Sequence, residues 1–391
     1  MNNQIKNLKR ATIRIKKAVK NKERIVLYGD SDLDGITSTI ILKETIRNLG
    51  GDVAGYYFPD RESDGYGINK NGLKFMKKMA PALFISMDLG ITNFKEIDLA
   101  NKMGFEVMVI DHHEIIRKLP KASIIVDPKQ PGDKYPFKVL ANVGIVFHLA
   151  EEILKNKFSG ELKKDFLAIA ALGTIADMVP EKEDNREIII KGLKCIKESL
   201  RPGIKVFKDI DYVDNYMDSR DFANKIISVL NAGKKKDNFH DTYLLLTASS
   251  LEEARGLAED LIKKSAEKHR RIKEITDDID QKILESPEEP IVFEGDCSWD
   301  LISLGSVASR ICDIYQKPTF IFVRGKKNNP GSVRMPKGTN AVKAMDSCSK
   351  YLEVYGGHPL AAGFTVKDKN IEGFKKCLLK YFEGESNLKN R

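Results

Sequence analysis

Short apolar runs alternate with amphipathic segments through the first third of the chain, between residues 24 and 128. The apolar runs predict strands at 25–28, 53–58, 83–87, 107–110 and 124–126, and the segments between them predict helices at 36–49, 69–79 and 92–103. Strands that are apolar almost throughout are buried on both faces. The alternation therefore predicts an α/β fold with a doubly wound, mainly parallel sheet.

The pattern is mostly helical after this region and returns to mixed strands and helices near the end. Helices are predicted at 143–154, 162–175 and 187–200, whereas residues 205–240 are polar and less regular. A long charged stretch at 251–283 predicts a helix that joins two domains. We expect a first domain at 1–250 with its core at 24–200, a connecting helix at 251–286 and a smaller C-terminal α/β domain at 287–385.

Composition describes an ordinary globular protein of 391 residues with a net charge of +9. No apolar run approaches the roughly 18 residues of a membrane span, and no signal peptide is apparent, so we expect no membrane association. The five cysteines form no Cys-x-x-Cys pair, which argues against a zinc ribbon or a disulfide framework and favours reduced thiols in a cytoplasmic protein. The positive charge is compatible with a nucleic-acid partner without identifying one.

Residues 5–23 place Lys and Arg among Ile, Leu and Val at helical spacing. This pattern predicts a basic amphipathic helix at the start of the chain. Two interpretations of its charged face stay open, namely a solvated face on a packed helix and a contact with nucleic acid.

Carboxylates follow the ends of two predicted strands. Asp30, Asp32 and Asp34 come directly after the first strand, with Gly35 behind them, and Asp88 follows the third. The carboxyl ends of parallel strands meet at one edge of the sheet, and alternate residues of an extended chain share a face. So many carboxylates disfavour joint ionisation without cations. A calcium loop is excluded because no Glu stands at its twelfth position, and a polar turn with helix caps stays open.

The most specific signal is Asp111-His112-His113 at the end of the fourth predicted strand. Carboxylate and imidazole ligands together suit a divalent metal such as manganese or magnesium. Adjacent side chains on an extended chain face opposite ways, so we expect one imidazole to bind metal and the other to contact substrate phosphate or orient a ligand. Asp177, just before Pro180, is by itself better explained by a simple helix-terminating turn.

A second set of residues suits phosphate binding. Its members lie in polar or glycine-rich turns that carry a guanidinium, hydroxyl, phenol or imidazole, and such turns can cradle phosphates. The set comprises Arg61, Tyr66, Ser332, Arg334, Gly357 and His358. An ordinary turn stays open as the explanation of the Gly-Gly-His sequence.

Taken in order, these motifs resemble the DHH phosphoesterase superfamily and, within it, the RecJ-type single-strand nucleases. The likeness covers roughly residues 24–366. The motifs that carry it are Asp30-x-Asp32-x-Asp34-Gly35, Asp88, Asp111-His112-His113, Ala176-Asp177-Met178-Val179-Pro180, Gly331-Ser332-Val333-Arg334 and Gly356-Gly357-His358. Small DHH phosphodiesterases carry a metal-binding His where this chain has Tyr28, which favours the RecJ-like branch.

The resemblance implies two divalent cations, with manganese preferred and magnesium as the alternative. By position, the implied metal-binding residues are Asp30, Asp32, Asp34, Asp88, His112 and Asp177. Asp88 would bridge the cations, His113 would act at the substrate phosphate, and Arg310 would join the phosphate-binding set. The implied activity is hydrolysis of single-stranded nucleic acid to mononucleotides by a two-metal mechanism, in DNA replication or repair.

The resemblance leaves the substrate and the partners open. DNA and RNA are both implied substrates, and the chain looks like a short archaeal form, for which the GINS complex or a helicase-nuclease is an implied partner. The alternatives are a phosphodiesterase for short oligoribonucleotides or cyclic dinucleotides and an inactive replisome scaffold. The complete set of acids favours an enzyme, because an inactive descendant has no chemical reason to keep them.

Overall fold

The computed structural model describes residues 4–389 except 62–63, 116–117, 215, 237–238, 286–287 and 358. The chain forms two compact units, Met1–Ser265 and Ala266–Arg391. The boundary between the units falls inside one long helix, α11 (Leu251–Glu285).

A five-stranded parallel sheet forms the centre of the first unit. Its strands are β1 (Ile25–Gly29), β2 (Gly55–Tyr57), β3 (Ala82–Met87), β4 (Phe105–Ile110) and β5 (Ile124–Val126), in the order β2-β1-β3-β4-β5. The helices around it are α1 (Leu8–Lys20), α2 (Leu33–Asn48), α3 (Lys70–Met76), α4 (Phe94–Lys102) and α5 (Asn142–Leu154). Ile25 and Leu27 share a core with α1, α2 and α5, whereas Val26 and Tyr28 pack with α3 and α4. The prediction of a doubly wound parallel sheet is therefore confirmed.

The helical half of the first unit is more regular than the sequence pattern suggested. It contains α6 (Gly160–Ala176), α7 (Glu183–Ile196), α8 (Pro202–Asp209), α9 (Ser219–Leu230), the short hairpin of β6 (Lys235–Lys236) and β7 (Phe239–His240), and α10 (Asp241–Leu246). Residues 205–240 were expected to be less regular, and that expectation missed α9, which buries Phe222, Ile226 and Val229 at helical spacing. Its polar residues obscured that apolar face.

The second unit contains a mixed sheet with helices. Its elements are β8 (Val292–Asp296), α12 (Leu301–Tyr315), β9 (Thr319–Val323), β10 (Asn328–Arg334), α13 (Ala341–Ser347), β11 (Leu352–Gly357), β12 (Ala361–Lys367) and α14 (Ile371–Lys389). The strand order is β11-β12-β10-β9-β8, with only β8 and β9 parallel to each other among the described strand pairs of this sheet. Phe320 and Phe374 lie in its buried core. The expected smaller α/β domain is present.

Two findings bear on the expectations from composition. Cys348, at the end of α13, and Cys377, in α14, form a disulfide, so the expectation of uniformly reduced thiols is wrong. These cysteines are 29 residues apart in sequence, and no spacing motif reveals a pair that only the fold brings together. Across the described residues, none of the helices has the length and apolar character needed to cross a bilayer.

Candidate metal centre

The carboxyl ends of β1 and β3 lie at the point where the strand order of the sheet reverses. From β1 the chain passes to β2 on one side and then returns to β3 on the other side of β1. A crevice forms outside the strand ends at such a switch point, because the flanking connections leave on opposite faces. Asp30 follows β1, Asp88 follows β3 and His112 lies two residues beyond β4, so all three reach this edge.

Asp30 and Asp32 share one guanidinium. The Arg61 Nη2 atom donates to Asp30 Oδ2 and to Asp32 Oδ2, each at 2.9 Å. Asp32 is the N-cap of α2 and accepts from the Gly35 N–H at 3.0 Å. A Cβ atom at Gly35 would lie 2.5 Å from the Asp30 carbonyl oxygen, so this tight turn requires glycine. The convergence thus comes from a turn into a helix and not from an extended backbone.

Asp34 lies in the first turn of α2 and faces the start of another helix. Its two carboxylate oxygens accept from the backbone N–H groups of Asn142, at 2.8 Å, and Val143, at 2.7 Å. These donors belong to the first turn of α5, where backbone N–H groups have no partner within the helix. Asp34 is therefore fixed between α2 and α5, deep in the crevice.

Asp88 and His112 meet in the centre of the site. Asp88 is only 2% exposed, and its backbone has a positive φ of 64°, which is uncommon outside glycine. The Leu140 carbonyl oxygen lies 3.1 Å from His112 Nδ1, which favours the tautomer that carries its proton there. His112 Nε2 then presents a lone pair 3.1 Å from Asp88 Oδ1. Burial lowers the pKa of His112 to about 3, so its imidazole is neutral and suited to bind metal.

His113 has different surroundings from its neighbour. Its Nδ1 lies 2.8 Å from Asp111 Oδ1, and Asp111 also accepts from the backbone N–H groups of His112 and Ile91. Burial opposes the charge of His113, but the Asp111 carboxylate outweighs it and raises the pKa of the imidazole to about 9. His113 is therefore a cation at neutral pH, and it suits an anionic phosphate better than a metal.

The expectation that the two imidazoles face opposite ways is wrong. The ring centroids of His112 and His113 are 4.6 Å apart, and both rings lie near Asp88. Strand β4 ends at Ile110, so the alternation of side chains does not extend to these residues.

Seven side chains converge here, and we call them the metal-site cluster: Asp30, Asp32, Asp34, Asp88, His112, His113 and Asp177. Within it, three groups place their ligand atoms within 4.8 Å of one another. The groups are Asp30 with Asp32 and Asp88, Asp34 with His112 and Asp177, and Asp88 with His112 and His113. Asp88 and His112 each belong to two groups. Asp88 thus lies between the Asp30–Asp32 pair and His112, which is where a bridging ligand would stand.

The donor set fits divalent cations. Asp88 Oδ1, His112 Nε2 and Asp177 Oδ2 are buried and form no hydrogen bond with the described residues. Buried polar atoms without partners are costly and rare, so three of them in one cluster need an explanation. Cations held by carboxylate oxygens and an imidazole nitrogen would satisfy all three, and that set of ligands suits manganese or magnesium.

Burial and crowding raise the pKa of every carboxyl group in the cluster except that of Asp32. Burial and the charge of Asp32 raise the pKa of Asp34 to about 7, and burial and the charge of Asp34 raise the pKa of Asp177 to about 9. Burial and the surrounding aspartates hold the pKa of Asp88 well above its usual value. For Asp32 burial acts in the same direction, but the Arg61 charge outweighs it and the pKa is lowered. Cations must therefore displace protons from this site.

We expect magnesium to stabilise the protein more strongly as the pH rises from about 6 to about 9. In the folded protein the pKa is about 7 for Asp34 and about 9 for Asp177, well above the pKa of an aspartate in the unfolded chain. The folded state therefore loses stability as the pH rises from the unfolded-state pKa towards these folded-state pKa values. Bound cations remove that loss. The gain in Tm with magnesium should grow by at least about 2–4 °C, or roughly 1 kcal/mol, in thermal unfolding scans. Asp177→Asn should make the magnesium-dependent gain in Tm less sensitive to pH, whereas the control Asp98→Asn should leave its pH dependence unchanged. A gain in Tm that stays constant or falls as the pH rises contradicts the assignment of these carboxylates to the metal site.

Asn142 is a site residue that sequence reasoning missed. It is fully buried, and in the amide orientation that satisfies both its ends it donates to the Ile110 carbonyl and accepts from Ser38 Oγ and the Asp88 N–H, at 2.9–3.1 Å. This amide ties α2, α5 and the ends of β3 and β4 together. The available signal was a polar residue inside the apolar run 139–147, which did not stand out among the acids.

Replacing Asn142 by Ala should destabilise the protein by about 2–3 kcal/mol, because the buried polar groups that bond to its amide would lose that hydrogen-bond partner. Denaturant unfolding of the cation-free protein measures this change. The matched control is Asn48→Ala, an exposed asparagine on α2, which should stay within about 0.5 kcal/mol of the wild type. Equal stability of the two variants would contradict the positioning role of Asn142.

Two of the expected phosphate-binding residues lie beside the metal-site cluster. The Arg61 guanidinium stacks 4.8 Å from the centre of the Tyr66 ring, and it also contacts Asp30 and Asp32. Tyr66 is 77% exposed, so one face of its ring is accessible to a ligand. The pair thus joins the cluster to an aromatic surface.

The other expected phosphate-binding residues belong to the second unit. On β10, Arg334 donates to Ser332 Oγ at 3.2 Å and to Ser309 Oγ, on α12, at 3.0 Å. Gly357 has a φ of 139°, and a Cβ there would lie 2.6 Å from the Ala361 carbonyl oxygen. Arg310 is exposed on α12, and His358 lies outside the described residues. Ser332 and Arg334 therefore share one cluster of donors, to which Ser309 is an unexpected addition.

Family models match both units of the chain. The model described as "DHH family, N-terminal domain" matches residues 24–174, and the DHHA1 domain model matches residues 289–384. The first match contains the metal-site cluster except Asp177, and the second contains Ser332, Arg334 and Gly357.

Curated relatives match almost the whole chain. The single-stranded-DNA-specific exonuclease RecJ of Bacillus subtilis is 32% identical over 379 residues, which are 96% of this chain and 48% of that protein. RecJ of Thermus thermophilus is 29% identical over 374 residues, which are 95% of this chain and 54% of that protein. The chain thus spans about half the length of these two relatives.

Solved structures agree with this relationship. An exonuclease RecJ bound to manganese has a TM-score of 0.80 at 27% identity, with 97% of this chain and 95% of that chain covered. RecJ from Thermus thermophilus in complex with Mn²⁺ has a TM-score of 0.82 at 26% identity, with 97% of this chain and 55% of that chain covered. The chain therefore carries a DHH-family N-terminal domain and a DHHA1 domain, and it resembles RecJ-type exonucleases over nearly its whole length.

Proposed function

We propose that this protein is a cation-dependent exonuclease that hydrolyses phosphodiester bonds of single-stranded DNA to mononucleotides. The observation that carries the proposal is the metal-site cluster, in which Asp88 belongs to two ligand groups. The similarity of the chain to RecJ exonucleases, two of which have structures with bound manganese, supports the same class of reaction. RNA is a second substrate that the same chemistry would accept.

The cluster would hold two cations, preferably manganese. Asp30, Asp32 and Asp88 would supply oxygens to one, and Asp34, His112 and Asp177 would hold the other. Asp88 would be shared, because its Oδ1 lies 3.1 Å from His112 Nε2. Bound there, divalent cations lower the pKa of water and neutralise phosphate oxygens. The backbone N–H groups that hold Asp34, and the Leu140 carbonyl that orients His112, keep these ligands in place before substrate arrives.

The remaining residues would bind and orient the phosphate. His113 carries its positive charge at the edge of the cluster, where Asp111 fixes its ring and keeps Nδ1 protonated. The Arg61 guanidinium offers further donors, and Tyr66 offers a ring on which a base can stack. In the second unit, Arg334 and Ser332 form a pair of polar groups suited to a phosphate.

End-labelled single-stranded DNA and RNA, incubated with manganese, test this proposal. We expect a ladder of products that shortens from one end, releases mononucleotides and disappears with a chelator. The end from which the ladder shortens gives the polarity of the reaction. Absence of any cation-dependent product overturns the proposal, and equal turnover of a dinucleotide and a long strand would instead identify a phosphodiesterase for short substrates.

We place this activity in DNA replication or repair in the cytoplasm, where single strands arise. The GINS complex or a helicase-nuclease as partner follows from the family resemblance alone. Co-purification of the tagged protein with either assembly from its own cells supports that partner, and recovery of neither argues against both.

A further inference from the structure

The positive charge of this protein is concentrated at its start. Residues 4–24 contain nine Lys and Arg residues and one acid, Glu23, whereas the whole chain has a net charge of only +9. Nearly all of the excess therefore lies in these 21 residues, and the rest of the chain is close to neutral.

Helix α1 displays these charges on one face. Leu8, Ala11, Ile15 and Ala18 are buried against the core of the first unit. The opposite face exposes four cations that we call the basic stripe, Lys9, Arg10, Lys17 and Lys20, with the 60%-exposed Ile13 between them. A helix of 13 residues makes this stripe about 20 Å long.

The four cations of the stripe form no ion pair with the described residues, although Arg10 donates to Asn7 Oδ1 at 3.3 Å. Within the described residues, Arg14 is the one cation of α1 that forms an ion pair, with Glu23 and Glu106. Like charges held together without oppositely charged partners repel one another and destabilise the fold. A polyanion that binds along the helix would relieve this repulsion.

The N-terminal end of α1 is attached to the sheet edge that carries the metal-site cluster. Asn7 Nδ2 donates to the Ile125 carbonyl in β5 at 2.8 Å, and the Lys6 N–H donates to Asp133 at 2.6 Å. The loop between these two contacts leaves the carboxyl end of β5, next to β4. Lys129 of this loop lies 3.0 Å from Glu114, the residue after His113. The loop that holds the start of α1 is therefore also tied to the residue that follows His113.

We infer that the basic stripe of α1 binds the sugar-phosphate backbone of a single strand whose end lies at the metal-site cluster, an inference that rests on the proposed function. A membrane surface fits less well, because the apolar face of α1 is already buried in the fold. An acidic protein partner would explain the charge of α1, but not the attachment of α1 to the sheet edge that carries the metal-site cluster. Contacts of this kind bind phosphates without reading sequence.

A variant that neutralises the stripe tests the inference: Lys9→Gln, Arg10→Gln, Lys17→Gln and Lys20→Gln together. The matched control carries the same charge change at four exposed lysines on α6, α7 and α8, as Lys164→Gln, Lys191→Gln, Lys194→Gln and Lys205→Gln. Both sets are made in an Asp88→Ala background so that the strand stays intact. Fluorescence anisotropy then gives the affinity for a long oligothymidylate and a trinucleotide over a series of potassium chloride concentrations.

The stripe variant should bind the long strand about tenfold or more weakly, and the salt dependence of log K should fall by about 0.7 for each phosphate that the variant no longer binds. The trinucleotide should lose much less affinity, and the control variant should follow the Asp88→Ala parent for both ligands. An unchanged salt slope for the stripe variant, with an unchanged Tm, overturns the inference, as does a loss confined to anionic vesicles or acidic proteins. Failure of the wild-type protein to cut any strand overturns the proposed function instead.

Discussion

Replacing Asp88 by Ala should lower manganese-dependent hydrolysis of single-stranded DNA by about 10³-fold or more. Asp88 is the one side chain shared by the Asp30–Asp32 group and a group that contains both histidines. Metal ions supply several kcal/mol of charge stabilisation, and each 1.36 kcal/mol changes the rate tenfold. Initial rates on an end-labelled oligothymidylate measure the loss.

The same variant should not lose stability when cations are absent. The pKa of Asp88 is held high by burial and by four neighbouring aspartates, so removing its carboxyl relieves repulsion. We therefore expect a Tm in chelator that equals or exceeds that of the wild type. The control is Asp98→Ala, a half-exposed acid on α4, which should keep full activity. Activity of Asp88→Ala within tenfold of the wild type would contradict a bridging role.

Replacing His113 by Gln should lower kcat by about 10²–10³-fold with a smaller effect on metal affinity. Asp111 keeps this imidazole positively charged beside the cluster, and a fixed charge aimed at a phosphate stabilises the transition state by a comparable amount. Gln keeps a polar side chain of similar length but carries no charge. Steady-state kinetics over a manganese titration separate the two effects.

His148→Gln is the matched control, because His148 is a part-exposed histidine of α5 that contacts Glu151 away from the cluster. It should leave kcat unchanged. If His113→Gln instead weakens manganese binding as strongly as His112→Gln does, then His113 is a metal ligand and its assignment to the phosphate is wrong.

The sequence pattern was sufficient for the architecture of the sheet. Strands that are apolar throughout can be recognised without a structure, and a parallel sheet brings their carboxyl ends to one edge. Asp30, Asp88 and His112 were therefore predictable as neighbours from their places after β1, β3 and β4. The helix α9 was missed because its apolar face is interleaved with charged residues.

The geometry inside the site depends on long-range contacts that local pattern does not contain. Asp34 is held by the first turn of α5, more than a hundred residues later in the chain. Asn142 has its partners on three other elements, and the different charges of His112 and His113 follow from Leu140 and Asp111. Side-chain alternation suggested opposite orientations for the two imidazoles, and the turn after β4 brought them together.

A crystal structure of the protein soaked in manganese, with anomalous diffraction data, tests the central claim most directly. We predict two anomalous peaks within the metal-site cluster, with Asp88 contacting both and His112 Nε2 contacting one. A single peak away from Asp88, or carboxylates that bind only Arg61 at saturating manganese, would contradict the assignment of this site as the centre that performs hydrolysis.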